Sequence, residues 1–467
     1  MFSLRRIVRG RLPTSRQVRL EILLGIASLV AGLFLLNSRF PESWWTDRRF
    51  VSSPKPFAPE AMLVGIDEKY SENHQEGGIS PAYLAQILSA LAELKPTAVA
   101  VDFRFGVSEM SYPGADSLLA ALRKLRTNGV STIFPTWTAE WAGRNEIARV
   151  PVTDAPHLTG ISGWRVPSQT NSTPVLIRSF PPAEQLSNGC WVMSLPLVSV
   201  AAHHKLVELQ STHPCGAHGI VSRNTLDNIL ERFSISNPTK QISIHFSGPL
   251  HTTKKLHYYS SEDLIKDISR GISLETYSGK LVLVASLMPD PTGVDQIHTP
   301  FGIERGGALH YYAIDTLLNG RTVSSVSHKL GLGIALAIFL FSACVWKWLP
   351  GWLAPLIADA VSWIVYVVGT FEVYNQSNLL LPISTPLWAG FVGAIVGFLF
   401  LHPRILGSES VRKYTPDTTE PPSPECISQA DNAQDISERS VQAINLIVYT
   451  VGLGWIFFRA FTNRLRK

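Results

Sequence analysis

The sequence predicts a mainly parallel α/β domain attached to an α-helical transmembrane bundle. Three observations lead there. Short apolar runs ending in polar residues alternate with stretches of helical periodicity through the middle of the chain, and longer apolar runs flank that region on both sides. Charged residues make up only 16% of the 467 residues while hydrophobic ones make up 45%, whereas a soluble chain carries about 25% charged residues. The missing charge implies surface that faces something other than water.

Residues 1–19 hold Arg5, Arg6, Arg9, Arg11, Arg16 and Arg19 and no acid, which marks a basic cytoplasmic N-terminus. Residues 20–38 follow as a transmembrane anchor. Their apolar run, 20–36, rises about 1.5 Å per residue as a helix and so covers most of a hydrocarbon core. Asn37, Ser38, Arg39 and Phe40 lack the small-x-small pattern of a cleavage site. A retained signal anchor is the reading, and a removed signal peptide is the alternative.

Residues 40–327 form the predicted periplasmic α/β domain. Strands are expected at 61–67, 98–103, 130–134, 242–246 and 280–285. Helices are expected at 81–93, where Leu84, Ile87, Leu88 and Leu91 recur at helical spacing, and at 116–127, 261–268 and 307–319. Strands alternating with helices of this length imply right-handed crossovers and parallel pairing. Residues 136–240 are rich in Pro, Gly and Ser, which predicts long connections or an added lobe.

Residues 329–401 are expected to hold three transmembrane helices, over 330–346, 352–370 and 386–401. Leu379, Leu380 and Leu381 continue the last run upstream, and tight connections are expected at 347–351 and 371–378. Trp346, Trp348, Trp352 and Trp388 fall near predicted ends, where indoles favour the headgroup zone. Asp359 interrupts the second run; it reads as a carboxylate near a helix end or hydrogen-bonded in the bundle, in preference to an ion path. Four crossings return the chain to the cytoplasm, where residues 402–440 form a polar linker with Pro416, Pro421, Pro422 and Pro424. Residues 441–459 are an additional transmembrane or interfacial helix. Arg459, Arg464, Arg466 and Lys467 behind it favour the interface, and its dense apolar run favours the bilayer.

Asp67 and Asp102 end successive strands, which places both at the carboxyl edge of a parallel sheet, where ligand sites gather. Asp295, His298 and His310 approach from later loops, so these five residues form the candidate ligand or structural pocket. A ligand or metal pocket formed by Asp67, Asp102 and Asp295 is the sharp version; helix capping and loop hydrogen bonds are the plain one. Cys190 and Cys215 are a candidate disulfide, Cys344 reads as a small buried hydrophobe, and Cys426 lies in the polar linker. Trp191, Met193 and Leu195 read as core, and the His203–His204 pair as a wet helix end. His213, Cys215 and His218 have metal-like spacing but no evident fourth ligand. Gly302, Gly306 and Gly307 read as a turn that admits the last helix of the domain. No nucleophile elbow, zinc-protease helix or phosphate-binding loop occurs. No enzyme, metal or cofactor is therefore expected, and the net charge of +5 is too scattered to indicate nucleic acid.

Four stretches carry a resemblance: Met-Leu-Val-Gly-Ile-Asp-Glu at 62–68, Val-Ala-Val-Asp-Phe at 99–103, Gly-Lys-Leu-Val-Leu-Val-Ala at 279–285, and His-Thr-Pro-Phe-Gly at 298–302. Gly-Ala-Leu-His-Tyr-Tyr-Ala-Ile-Asp-Thr-Leu-Leu-Asn-Gly-Arg comes next at 307–321. In this order, with three apolar runs behind them, they resemble the CHASE2 extracytoplasmic sensor domain of bacterial signalling proteins over about residues 55–325. The resemblance implies an anchor, a sensor domain and a three-helix bundle, usually ahead of a cyclase or kinase. The residues after 401 are too few and too apolar to resemble such an effector. The expectation is a multi-pass inner-membrane protein with its domain in the periplasm, serving as a non-enzymatic sensor-like accessory or structural subunit. Its expected partners are the lipid bilayer and other membrane subunits, with a periplasmic protein or small-molecule ligand. Two alternatives remain: an effector-free receptor for a small molecule, and an extracytoplasmic enzyme using the sheet-edge carboxylates.

Overall fold

Every residue of strand β1 (Ala61–Ile66) is buried, as expected where helices cover both faces of a parallel sheet. The same is true of β2 (Ala98–Val101), and β3 (Ser131–Thr136) is buried after its first residue. With β4 (Leu158–Ile161), β5 (Tyr258–Ser260) and β6 (Leu281–Ser286) they make a six-stranded sheet in the order β5-β1-β6-β2-β3-β4, parallel throughout. The computed structural model describes residues 42–397 except 74–78, 104–112, 137, 142–143, 148–157, 162–174, 177–178, 208–214, 216–218, 251–256, 273–276, 289–295 and 350–352. The expected segments 1–19, 20–38, 402–440 and 441–459 therefore lie outside the described residues.

Residues 50–323 form one compact unit. The helices up to its end are α1 (Glu42–Ser52), α2 (Glu68–Asn73), α3 (Pro81–Leu94), α4 (Ala115–Thr127), α5 (Leu195–His203), α6 (Arg223–Arg232), α7 (Ser261–Ser269) and α8 (Gly306–Leu318). Helix α3 shows why they form where they do. The Ser80 hydroxyl accepts from Tyr83 N, Pro81 takes the first turn, and Lys95 closes the end at φ +50°. Leu84, Leu88 and Leu91 of α3, Leu118 and Leu122 of α4 and Leu264 of α7 then cover one face of the sheet. Helices α5 and α8 pack together and against the other face.

The last strand is the one that closes the sheet. β6 enters between β1 and β2, matching Ala61–Ile66 to Leu281–Ser286 on one side and Ala98–Val101 to Leu281–Val284 on the other. Helix α8 then lies so close that a Cβ on Gly307 would stand 2.5 Å from the Ala285 Cβ.

Three expectations need correction here. Residues 242–246 are not a strand of the main sheet. Only Ile242–Ser243 pair, antiparallel to Ser179–Phe180, because the next backbone donor, His245 N, turns to the Thr316 hydroxyl on α8 at 2.9 Å. Gly302–Arg305 is a strand, antiparallel to Gln296–Thr299, so the glycines mark a hairpin and not a bare turn before α8. The strand boundary near 130 moves to Ser131, whose N–H donates to Thr97 O.

Between β4 and α6, Ala183–Gln185, Trp191–Met193 and Ile220–Val221 form a small antiparallel sheet. A disulfide joins Cys190 to Cys215, with Cα atoms 5.6 Å apart, beside Leu186, Val192 and Ile220. Trp191, Met193 and Leu195 are buried.

Residues 42–49 and 324–397 belong to a second unit, built from α9 (His328–Trp348), α10 (Leu353–Ser377) and α11 (Ser384–Val396). His328–Trp346 and Ala354–Ser377 are long and apolar enough to cross a membrane, and Ser384–Val396 is shorter. Glycines let α11 touch α9: a Cβ on Gly393 would come 2.3 Å from Phe339 O, and one on Gly397 2.6 Å from the Trp346 Cβ.

This unit also departs from expectation. The connection at 371–378 is helical to Ser377, because Val373 and Tyr374 are buried and continue the packed side of α10. Leu379–Leu380 is a strand parallel to Ser324–Ser325, not the start of a span, and Pro382 precedes the new helix. Trp346, in the last turn of α9, is buried and its indole donates to Asp359 Oδ2 at 2.7 Å, so the carboxylate finds its partner inside the unit. Cys344 is exposed rather than buried, because its neighbour Ala343 is the one turned toward Gly397.

Replacing Gly307 by Val should destabilise the domain by about 3 kcal/mol, because β6 cannot withdraw Ala285 without breaking two ladders. Thermal unfolding of the detergent-solubilised chain measures it; an unchanged midpoint would refute the close approach of α8 to β6.

Candidate functional site

The carboxyl ends of β1, β6 and β2 stand side by side, and this edge holds two of the carboxylates that the sequence singles out. β6 separates them. Asp67 and Asp102 are two strand spacings apart, roughly 10 Å, and Asp67 follows the Ser286 partner Ile66 while Asp102 follows the Val284 partner Val101. The backbone fixes this stagger, since Leu287 N donates to Ile66 O and Asp102 N to Val284 O, each at 2.8 Å.

The two side chains also have different partners. Asp67 turns toward β5: its Oδ2 accepts from the Tyr258 hydroxyl at 2.6 Å, and its Oδ1 accepts from the Ser260 hydroxyl at 3.0 Å and Lys69 N at 3.2 Å. Both oxygens are therefore used in fixing the start of α2 against β5. Burial, and then the bond to Asp67, push the Tyr258 phenol well above its ordinary range. Outside this group, Lys69 Nζ meets Asp263 Oδ2 at 2.5 Å on the exposed surface, an ion pair of small energetic weight.

Asp102 faces α8. Its Oδ1 lies 3.7 Å from His310 Nε2, with the His310 side chain 4% exposed and that of Asp102 17%. The structure thus brings Asp102 and His310 together and gives Asp67 to another cluster. His298 is exposed on the Gln296–Thr299 strand, opposite Ile303, and Asp295 lies outside the described residues. Among the described residues, no three His, Cys, Asp or Glu side chains converge as a metal site would require. His213 and His218 are outside the described residues. His203 closes α5 with His204 as its cap. Its Nδ1 bonds the Thr97 hydroxyl, and burial, then the neighbouring His204, hold it below the ordinary histidine range.

The sequence gives no warning of a third polar group, wholly inside the domain. Asp315 on α8 accepts from Ala58 N at 2.6 Å and Asn319 Nδ2 at 2.8 Å, and from the Ser247 hydroxyl. The Ser247 hydroxyl also lies 3.4 Å from His245 Nδ1. Burial raises Asp315 to about 6, with the Ser247 and Ala58 hydrogen bonds acting against it. Burial, then Lys55 and Arg321, lower His245 to about 3. A serine, a histidine and an aspartate meet here, but Ser247 donates to the aspartate, so it is not activated as a nucleophile. All three side chains are fully or almost fully buried. The group is structural.

The sequence family described as CHASE2 domain matches residues 24–346. No curated protein and no solved structure matches the chain.

The buried pair has opposite effects on acid stability. Between pH 6.5 and 3 the unfolded chain takes up a proton at His245 that the folded domain refuses, so stability falls with pH. Between pH 6 and 3.8 the folded domain keeps a proton on Asp315 that the unfolded chain has released, so stability rises as pH falls. Going from pH 7 to 5, the first effect is worth about 2 kcal/mol and the second about 1 kcal/mol. Asp315→Asn should therefore lose stability over this interval more steeply than the parent, and His245→Asn should gain it. Denaturant unfolding at each pH reads both slopes, and equal slopes in the two variants would overturn the assignment.

Proposed function

Because the chain belongs to the CHASE2 domain family, whose members are extracytoplasmic sensor domains, we propose that it is a non-enzymatic, sensor-like subunit of an inner-membrane complex. The α/β domain lies in the periplasm and the helices of the second unit cross the bilayer. The observation that carries this reading is the chain's passage from sensor domain to apolar helices. Only residues 319–327 separate α8 from α9, and the helices beyond them expose Leu336, Leu340, Ile364 and Val368. Such faces are costly in water and are stable against lipid or another membrane subunit.

The assembly part is tested by extraction in mild detergent and mass measurement of the purified particle. A particle heavier than one chain with its detergent is expected, and a lone stable monomer would count against a complex. The topology is tested in intact spheroplasts with a membrane-impermeant amine reagent. Modification of Lys124 and Lys240 is expected; protection of both until lysis would place the domain on the cytoplasmic side.

One observation favours a second reading, a receptor for a small polar ligand. Asp102 and His310 form a mostly buried polar pair at the sheet edge where loops converge. A ligand that binds there raises the unfolding temperature of the parent chain, and Asp102→Asn removes that rise while leaving the unliganded midpoint within about 2 °C. A shift of equal size in the variant would exclude this edge.

A further inference from the structure

Helix α5 starts at the same edge of the sheet as the Asp102–His310 pair and on the same face, where it packs beside α8. Its last residue, His203, bonds Thr97 just ahead of β2, so α5 runs back along the sheet and its first turn stands over the strand ends. Gly160 of β4 lets the helix start in close. A Cβ there would come 2.7 Å from Leu195 Cα and 2.6 Å from the Val198 side chain. Gly160 is level with Pro135 of β3, and Pro135 is level with Asp102, two residues on from the match of Ala100 to Ile133. Residues level with each other in a parallel sheet point to the same face. Asp102 and the first turn of α5 thus share one row, two strand spacings or roughly 10 Å apart.

Ser194 caps that turn in position only. It has the extended backbone of an N-cap, φ −63° and ψ 154°, yet its hydroxyl makes no bond to the helix. The residue is 4% exposed, and its Oγ finds no hydrogen-bond partner among the described residues. Pro196 has no N–H, so Leu195 and Leu197 carry the donors of the first turn. A buried, unbonded hydroxyl at a helix N-terminus suits one kind of group, an anion that accepts from both.

Asp102 at the other end of the row decides which anion. A phosphate dianion is repelled by this carboxylate, whereas a carboxylate with a cationic donor at its far end is attracted at both ends. Of the roughly 10 Å between them, two hydrogen bonds of about 2.9 Å take more than half. The acid and the donor of the ligand are then roughly 4 Å apart, the spacing of a short-chain amino acid whose amine is not on the α-carbon. We infer that this edge binds a small ω-amino carboxylate, its carboxylate on Ser194 Oγ and the first turn of α5 and its ammonium on Asp102. The inference rests on the receptor reading above and names its ligand class. Binding gives the Ser194 hydroxyl the partner it lacks in the unliganded domain, which is the differential interaction a sensor requires.

The test is thermal unfolding of the detergent-solubilised full chain with β-alanine and γ-aminobutyrate as probes. β-Alaninamide is the control, keeping the amine and losing the charge of the acid. Either acid should raise the midpoint saturably, by about 5 °C at a hundredfold excess over Kd, and the amide should not. Ser194→Ala should raise Kd for the acid about tenfold and leave the unliganded midpoint no lower than the parent's, because the hydroxyl it removes bonds nothing. A lower midpoint would show an ordinary structural cap and overturn the inference. So would an equal Kd in parent and Ser194→Ala, or an equal shift with β-alaninamide; if Asp102→Asn still abolishes that shift, the receptor reading stands without the carboxylate site. A shift that survives Asp102→Asn unchanged would remove both, and no shift with either acid would overturn the ligand class alone.

Discussion

The structure of the domain depends on one strand entering late. Residues 281–286 are more than two hundred positions from β1, and yet they supply the ladder on which both β1 and β2 register. Until β6 is in place, β1 and β2 have no shared partner, and the apolar faces over which α3 and α4 pack are not continuous. Such a long closure is entropically slow to form, and its residues leave no ambiguity once formed. Leu281, Val282, Leu283, Val284 and Ala285 are all buried, so a shift by one residue would exchange the two faces of the strand. The same insertion decides the chemistry of the edge. By standing between Asp67 and Asp102, β6 prevents the two carboxylates from sharing one ion and gives each its own neighbours.

Those neighbours divide the labour of the edge. Asp67 is saturated by Tyr258, Ser260 and the backbone of Lys69, and its work is to hold β5 and α2 in position. Half-buried carboxylates with both oxygens hydrogen-bonded hold structure in this way. Asp315 is the deeper example, accepting from the backbone of residue 58, from the Ser247 hydroxyl and from Asn319 at the end of its own helix. It ties the entry of β1, the segment after Ile244 and the last turn of α8 to one point. The cost of burying its charge is visible in the raised titration. His245 nearby carries the opposite cost, because burial, and then Lys55 and Arg321, hold it neutral.

How much of this was legible in the sequence depends on how each part is determined. Strands buried on both faces, such as 61–66 and 281–286, announce themselves as short apolar runs between turn residues, and α3 announces itself through Ser80, Pro81 and its leucine spacing. The sheet edges do not. Leu158–Ile161 contains Thr159 and Gly160, and Tyr258–Ser260 is three residues long; both are strands because β3 and β1 offer them a partner. Ile242–Phe246 is the converse, an apolar stretch whose backbone donor is taken by Thr316. At the site, the strand-end positions of Asp67 and Asp102 are readable from their runs. Their separation is not, because the position of β6 in the sheet is a property of topology. The Asp315 group is invisible for the same reason, since Ala58, Ser247 and Asp315 meet only after the chain has folded. The inward turn of Trp346 toward Asp359 likewise needs a partner helix that hydropathy alone does not specify.

Helix α8 is where these constraints combine. His310 at the sheet edge and Asp315 in the core are five residues apart on it, or about 7.5 Å along the axis. Its first turn is held on β6 through Gly307, and its last turn is held by the bonds of Asp315 and Thr316. His310, with Asp102 beside it, thus sits on a helix whose two ends are both held within the domain.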